Sequence, residues 1–216
     1  MKKFLFAALV LFSAALFFCG CSKKVDYLSY VSERRENIFQ YCDDELEIKI
    51  YVSEKETPYS ADGICGSLSP LVEIFVTLPK NYDEVEISVG NIGGEMSYRA
   101  VENLYYLSAS DGKIDGENAE VNLTLGGESK AYTAQSVLYD GVMDCNGAVN
   151  CVIEHDNELF KALTQNNAFC GEIYVRLLYD DGCYYYVGVC DRNKKIIAYL
   201  VDGERGKIIA TKELDG

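Results

Sequence analysis

Apolar and polar residues alternate along much of the chain between residues 46 and 138. In the clearest segment, Leu46, Ile48, Ile50 and Val52 alternate with charged and polar positions. This period of two is typical of a half-buried β-strand with one solvated face. The same pattern predicts strands at 72–78, 85–89, 121–125 and 131–138, with one or two more within 96–107. The alternation therefore predicts a succession of antiparallel strands.

The pattern changes after residue 138. Residues 139–150 are rich in Asp, Gly and Asn and are predicted to be a connection. Asp156 is predicted to cap a helix whose apolar stripe contains Leu159, Phe160 and Leu163. Four further strands are predicted at 173–179, 183–190, 195–201 and 207–214, and Asp181-Gly182 is predicted to form a two-residue hairpin turn. A helix lying on one face of such a meander forms an α+β layer.

Together these elements predict a mainly β / α+β fold class with two domains. Residues 37–145 resemble an immunoglobulin-like antiparallel β-sandwich in their strand spacing and turns. The chain contains no tryptophan, so this resemblance is one of architecture. Residues 146–216 are predicted to form a small α+β domain, a helix plus a four-strand antiparallel meander.

The N-terminus predicts export. Lys2 and Lys3 precede an apolar run from Phe4 to Phe18, which is shorter than the roughly 20 residues of a membrane-spanning helix. The following Gly20-Cys21 resembles the bacterial lipobox, in which a small residue precedes the cysteine that is lipidated. That resemblance implies a signal peptide at 1–20, lipidation of Cys21 and a lipid-anchored tether at 21–36, on the extracytoplasmic face of the cell membrane. The alternatives are an ordinary cleaved signal peptide and an uncleaved anchor.

The charge of the chain narrows the choice of partners. The whole chain has a net charge of −14, and without Lys2 and Lys3 it has 18 basic against 34 acidic side chains, a net −16. Such a surface repels phosphate backbones, so no nucleic-acid partner is expected. It also disfavours electrostatic adhesion of the whole body to anionic lipid. The expected partners are the membrane, through the lipid anchor, and another envelope protein.

Candidate catalytic residues are few. His155 is the only histidine, and no Ser-His-Asp or Cys-His arrangement is recognisable around it. No catalytic residue and no cofactor are therefore predicted. Carboxylate pairs of the kind that glycosidases use cannot be placed from sequence, so an enzyme of that class stays open.

The cysteines and acidic turns suggest other sites. Seven cysteines follow Cys21, and Cys145 and Cys151 flank Asn146-Gly147, which is predicted to be a tight turn, so they are the candidate disulfide. A zinc site built from Cys145, Cys151, His155 and Cys170 is disfavoured because no C-x₂-C element is present. The acidic segment that begins at Asp111 does not fit a calcium loop and is interpreted as a hairpin turn. No metal is expected.

A candidate interaction surface lies on the C-terminal meander. With Asp181-Gly182 fixing the register, one sheet face is predicted to carry Tyr174, Arg176, Leu178, Tyr185, Val187 and Val189. Because a single helix covers only one face, the second face is expected to meet either the sandwich domain or an external protein.

Short segments of the chain resemble exported proteins of two kinds. The segment 199–209 is similar to the closing hairpin of PepSY-type exported domains, some of which inhibit or chaperone proteases. Residues 35–39 and 58–63 are similar to segments of uncharacterised lipoproteins of Gram-positive anaerobes. The predicted function is a non-catalytic surface interaction or structural module. The alternatives are a carboxylate-based hydrolase of cell walls or glycans and a PepSY-like protease inhibitor or chaperone.

Overall fold

The computed structural model describes residues 25–57 and 62–214, and it has the mainly β, α+β fold that the sequence predicts. A short 3₁₀ helix, Tyr27–Tyr30, precedes the first strand. The strands of the N-terminal half are β1 Val31–Cys42, β2 Glu47–Glu56, β3 Leu68–Thr77, β4 Val85–Val89, β5 Ile92–Glu95, β6 Ser97–Arg99, β7 Leu104–Ser110, β8 Asn118–Leu125 and β9 Glu128–Ser136. The C-terminal half contains helix α1 Cys145–His155, helix α2 Asn157–Ala162, the short hairpin β10 Thr164–Gln165 and β11 Ala168–Phe169, and the strands β12 Gly171–Tyr179, β13 Cys183–Asp191, β14 Ile196–Asp202 and β15 Ile208–Leu214. The predicted signal peptide and Cys21 lie outside the described residues.

The N-terminal half is built from two antiparallel layers joined through one strand. One layer has the order β6-β7-β3-β2-β1, the other the order β5-β4-β8-β9, and β1 pairs with β9 through Phe39 and Gln40. Inward-facing side chains of both layers, such as Ile50, Ile74 and Leu123, are at most 1% exposed. The apolar residues that alternate in the sequence thus point into this core, and the polar residues between them point to the outer faces.

The C-terminal half is a four-strand antiparallel meander, β12 to β15, with helices on one face. The predicted helix start is confirmed, because the carboxylate of Asp156 accepts a hydrogen bond from the backbone N–H of Leu159. Helix α1 begins within the segment 139–150 that was predicted to be a connection and extends beyond it to His155. Asp144 caps it by accepting from Gly147, so the apparent turn Asn146-Gly147 is the first turn of a helix.

Strand β1 joins the two halves into one hydrogen-bonded sheet. It pairs with β2 on one side and, over residues 31–35, runs parallel to β12 on the other, with Val31 opposite Ile173 and Arg35 opposite Arg176. The prediction that the tether extends to residue 36 is wrong, since strand β1 begins at Val31, which is 3% exposed. This part of β1 was not predicted because residues 33–36 are four consecutive charged residues. In the structure, Glu33 pairs with Arg176 and Arg34 pairs with Glu54 on the neighbouring strands.

Candidate functional site

Seven side chains form a continuous band across the outer face of the joined sheet, and we call this band the arginine–aromatic row. Each comes from a different strand, and all seven are half-buried. In spatial order the row consists of Arg99, Tyr106, Phe75, Tyr51, Arg35, Arg176 and Tyr186. It crosses from the N-terminal half into the C-terminal half at the contact between β1 and β12.

Strand periodicity explains why these residues face outwards. Tyr51 lies between Ile50 and Val52, and Phe75 lies between Ile74 and Val76, each flanked by residues that point into the core. Because successive side chains of a strand point to opposite faces, the aromatic rings must lie on the outer side. The sequence thus places a large apolar ring where a solvated face would normally carry a polar residue.

The N-terminal part of the row is held by ring and guanidinium contacts. The rings of Tyr51 and Phe75 have centroids 5.1 Å apart, and those of Phe75 and Tyr106 are 5.2 Å apart. A guanidinium covers the tyrosine at each end: Arg35 lies 3.9 Å from the centroid of Tyr51, and Arg99 lies 3.5 Å from that of Tyr106. These distances are within the range of cation–π interactions.

An ion pair organises the centre of the row. Arg176 donates two hydrogen bonds to Glu33, from Nε at 2.7 Å and from Nη2 at 2.6 Å, and Lys55 lies 3.9 Å from the same carboxylate. Burial acts to raise the pKa of Glu33, but the hydrogen bond and charge of Arg176, together with the charges of Lys55 and Arg35, hold that pKa below its ordinary value. The Glu33 carboxylate therefore stays charged and fixes the orientation of Arg176.

Arg35 lies beside this pair and is incompletely satisfied. Burial lowers its pKa, with the charge of Arg176 acting in the same direction. Its Nη1 donates to the carbonyl of Leu177 at 3.4 Å, while its buried Nε has no hydrogen-bond partner among the residues that the structure describes. Arg35 is thus a partly desolvated guanidinium at the junction of the two halves.

The predicted interaction surface combines residues from two faces, and this prediction is wrong for half of its members. The hairpin turn has three residues, Asp180 to Gly182, so Tyr179 pairs with Cys183 and every later pair is shifted by one. Arg176 thus lies opposite Tyr186 on the outer face. The side chains of Tyr185, Val187 and Val189 lie in the helix-facing core and are at most 2% exposed.

The remaining members, Tyr174, Arg176 and Leu178, point to the outer face, but Tyr174 is covered. The β2–β3 connection reaches the neighbouring Glu172, whose carboxylate accepts a hydrogen bond from the backbone N–H of Gly63 at 3.3 Å. Tyr174 also donates to Glu172 and is 2% exposed. The N-terminal half thus covers one end of this face and leaves Arg176 and Tyr186 accessible.

The predicted disulfide between Cys145 and Cys151 does not form. Both residues lie on helix α1, six positions apart, and a helical rise of about 1.5 Å per residue separates their Cα atoms by about 9 Å. A disulfide requires less than about 7 Å. All seven cysteines of the described residues are free thiols.

No group of three or more His, Cys, Asp or Glu side chains within 25–57 and 62–214 is placed to hold a metal ion. His155 ends helix α1 with its ring 6.3 Å from that of Tyr199. The acidic segment after Asp111 connects β7 and β8, which do not pair with each other, so the prediction of a hairpin turn there is wrong.

A cavity of about 220 Å³ lies between β1, β13 and the start of helix α1. Arg34, Glu36 and Cys145 contribute to its wall. Burial, with the charge of Glu36, raises the pKa of Cys145 to about 12, so this thiol stays protonated and is a poor nucleophile. Burial and the neighbouring Glu54 raise the pKa of Glu36.

No family model, no curated protein and no solved structure matches this chain. Within the described ranges, none of the helices is long and apolar enough to cross a membrane.

Sequence reasoning missed most of the row. The tyrosine clusters around Tyr106 and Tyr186 were recognisable, but Phe75 and Arg99 are single residues of their type in their segments, and Arg35 lies within a run of charged residues. The available signal was a large aromatic residue at an outward position on two adjacent strands, Tyr51 on β2 and Phe75 on β3.

Proposed function

We propose that this protein is a lipid-anchored, extracytoplasmic, non-catalytic module that binds a protein partner through the arginine–aromatic row. Lipidation of Cys21 keeps the folded body at the membrane, and the row provides the contact surface. The lipobox-like Gly20-Cys21 after an apolar leader supports the first part. The composition and continuity of the row support the second.

The row has the composition of a protein interface. Tyrosine and arginine are enriched among the residues that dominate binding energy, and lysine and acidic residues are depleted from interface centres. Here four aromatic and three arginine side chains lie side by side on the outer surface of a chain with net charge −14. Their fixed mutual contacts also reduce the side-chain entropy lost on binding.

The ring geometry favours a protein over a carbohydrate. A sugar stacks on an open ring face, but Arg35 covers Tyr51 and Arg99 covers Tyr106. Neighbouring rings are also tilted by 51° and 50° and so do not form one flat platform. A guanidinium stacked on a ring, such as that of Arg99 on Tyr106, can use its in-plane N–H groups to bind carboxylates or carbonyls of a partner.

Site-specific photo-crosslinking in cells that naturally make the protein tests the contact surface. A photo-reactive residue at exposed Ser97, which lies opposite Tyr106, should give a discrete adduct. The matched position is Asn122 on the outer face of β8, which should give none. Arg99→Ala should reduce the adduct at position 97, because it removes the end member of the row, the guanidinium that lies on Tyr106. Equal adducts at both positions, or no effect of Arg99→Ala, would contradict the proposal.

Metabolic labelling with a palmitate analogue tests the anchor. The unmodified chain and Cys19→Ala should be labelled, and Cys21→Ala should not. Equal labelling of the chain with and without Cys21 would refute lipidation at that residue.

A carboxylate-based hydrolase of cell-wall polymers or glycans is the second candidate. The observation that favours it is Glu36, a carboxyl with a raised pKa in the wall of a cavity and within the field of Glu54. Incubation of the protein with peptidoglycan and common glycosides tests this candidate. Turnover that Glu36→Gln abolishes would select the enzyme over the binding module.

A further inference from the structure

The folded body begins very close to the proposed anchor. Val25 is the first described residue and follows Cys21 by four positions, which an extended chain spans in at most about 14 Å. The 3₁₀ helix that follows does not lengthen this connection, because Tyr27 packs against Phe160 and Phe169 with ring centroids 5.0 and 5.5 Å away. This inference rests on the proposed acylation of Cys21, which would hold the 3₁₀ helix near the lipid headgroups.

Strand register places the β13–β14 turn at the same end of the body. Val31 opens β1 and lies beside Ile173 of β12, which in turn lies opposite Val189 of β13. Strand β13 ends two residues later, at Asp191. With neighbouring strands about 4.8 Å apart, the turn lies roughly 10 Å sideways from the start of β1.

This turn is a basic segment of an acidic protein. Arg192, Lys194 and Lys195 are exposed within four residues. Lys195 pairs with Glu213 at 2.6 Å, whereas Arg192 and Lys194 make no ion pair within the part of the chain that the structure describes. Lys23 and Lys24 add two more positive charges between Cys21 and Val25.

The acidic residue within this turn is used internally. The Asp191 carboxylate accepts hydrogen bonds from the backbone N–H groups of Asn193 and Lys195, at 2.8 and 3.0 Å. These bonds fix the turn, while the side chains of Arg192 and Lys194 remain exposed. Within the turn itself the exposed charges are therefore positive, opposite in sign to the net charge of the whole chain.

We infer that the β13–β14 turn docks on anionic lipid headgroups and that this end of the anchored body faces the membrane. Two independent features support this inference, the short distance from Cys21 and the local positive charge, which is complementary to an anionic bilayer. Because the strands rise from this end, the arginine–aromatic row, which crosses them, runs along the membrane surface. Arg35 follows Val31 by four residues, so the row lies about 13 Å above the start of β1. A partner would meet it from the side, close to the bilayer.

The absence of tryptophan gives a direct test on the full acylated protein in lipid nanodiscs. Asn193→Trp introduces one fluorophore into the turn, and Asp44→Trp introduces one into the β1–β2 turn at the opposite end of β1. Nanodiscs contain phosphatidylcholine, with or without roughly 30% phosphatidylglycerol, and a lipid spin-labelled at its headgroup as quencher. The expected result is strong quenching of Asn193→Trp only in the anionic nanodiscs and little quenching of Asp44→Trp in either.

Charge variants identify the contact. Arg192→Gln with Lys194→Asn should abolish the quenching of Asn193→Trp, and asparagine suits the positive φ of 68° at position 194. Arg205→Gln with Lys207→Asn removes the same charges from the β14–β15 turn at the far end and should leave the quenching unchanged.

Each outcome separates this inference from the proposed function. The mass of the N-terminal peptide shows first whether Cys21 is acylated. A Cys21 without acyl chains would refute the anchor itself. With acylation present, equal quenching of Asn193→Trp and Asp44→Trp would overturn the orientation. Quenching that is the same without phosphatidylglycerol, or that survives loss of Arg192 and Lys194, would overturn recognition of anionic lipid by the turn.

Discussion

The interiors of the two halves are built from different side chains. The N-terminal core is mostly aliphatic, and Ile48, Ile50 and Ile74 are completely buried. In the C-terminal half the largest buried side chains are tyrosines, and Tyr185 and Tyr199 are each 1% exposed. An aliphatic core depends on packing alone, whereas a tyrosine core also depends on a hydrogen-bond partner for each hydroxyl.

These partners connect the C-terminal core to its helices. Tyr185 donates to the carbonyl of Met143 at 2.6 Å, just before helix α1, and Tyr199 donates to Asp156 at 2.7 Å, the residue that caps helix α2. Burial raises the pKa of both tyrosines, so they remain protonated donors. In the C-terminal half, sheet and helices are therefore held together by both packing and hydrogen bonds, and we expect the two halves to respond differently to substitution and to pH.

The largest expected effect comes from a cavity in the aliphatic core. Ile74→Ala removes buried methyl and methylene groups from a residue with 0% exposure, and such changes cost about 2–5 kcal/mol of unfolding free energy. Urea denaturation measures this loss. Glu120→Ala on the exposed face of β8 is the control and should change stability by less than about 0.5 kcal/mol. A loss below about 1 kcal/mol for Ile74→Ala would mean that this core is loosely packed.

Breaking the ion pair between the halves should cost somewhat less. Glu33→Gln leaves Arg176 without its carboxylate partner, and we expect a loss of about 2 kcal/mol near pH 7, since Arg176 is still 32% exposed at its side chain. The pKa of Glu33 is lower in the folded state, so this stabilisation is present above its ordinary pKa of 4.5 and is lost as pH falls through the folded value. Denaturation at pH 7 and at acid pH should therefore show a difference between the two proteins that shrinks on acidification. A difference that is constant with pH would contradict this assignment.

Removing one hydroxyl tests the tyrosine core. Tyr199→Phe keeps the ring but removes the hydrogen bond to Asp156, at an expected cost of about 1 kcal/mol. Thermal unfolding followed by circular dichroism measures it. Tyr98→Phe, at an exposed tyrosine, is the matched control and should be close to neutral. An equal effect of the two substitutions would show that the hydroxyl of Tyr199 contributes nothing specific.

Glu172 should show the opposite pH dependence to Glu33. It is fully buried, one carboxylate oxygen has no hydrogen-bond partner among the described residues, and burial raises its pKa. A raised pKa in the folded state means that stability decreases as pH rises from its ordinary value of 4.5 through the folded value. Glu172→Gln should therefore be more stable than the parent protein at pH 8, by about 1 kcal/mol, and should show a flatter pH profile. A variant less stable than the parent at pH 8 would show that the charged form is preferred.

The smallest effect on stability is expected at the end of the row. Arg99→Ala removes one cation–π contact at a half-buried position and should cost about 0.5 kcal/mol. The same substitution should reduce the crosslinked adduct at position 97 by a much larger fraction than it reduces the free energy of unfolding. That difference would separate a binding role of Arg99 from a structural one.

Sequence reasoning identified the aliphatic half well and the C-terminal half less well, for physical reasons. The strands around Ile50, Ile74 and Val121 were visible because one face is aliphatic and the period is two. Helix α1 was missed because its first turn contains Asn146 and Gly147, residues that are typical of turns. Here burial of Val149 and Val152 outweighs local propensity.

The row could not be predicted from the sequence for a different reason. Whether Arg35 meets Tyr51, and whether Phe75 meets Tyr106, depends on the register between strands that are distant in the chain. One extra residue in the turn at Asp180–Gly182 was enough to move Tyr185 from the predicted surface into the core. Registers are set by turns, and a turn of two residues is difficult to distinguish from one of three when the sequence is Asp-Asp-Gly.

The pairing of β1 with β12 also determines the order in which the chain can fold. Val31 and Ile173 are neighbours in the sheet but 142 positions apart in the sequence, and contacts of such separation form slowly because a long loop must close first. Until β12 has formed and paired with β1, the first residues of β1 form an unpaired strand edge. Such an edge can pair with strands of other chains. A chain that lacks the C-terminal half would keep this edge permanently, and we expect it to aggregate even though its own aliphatic core is complete.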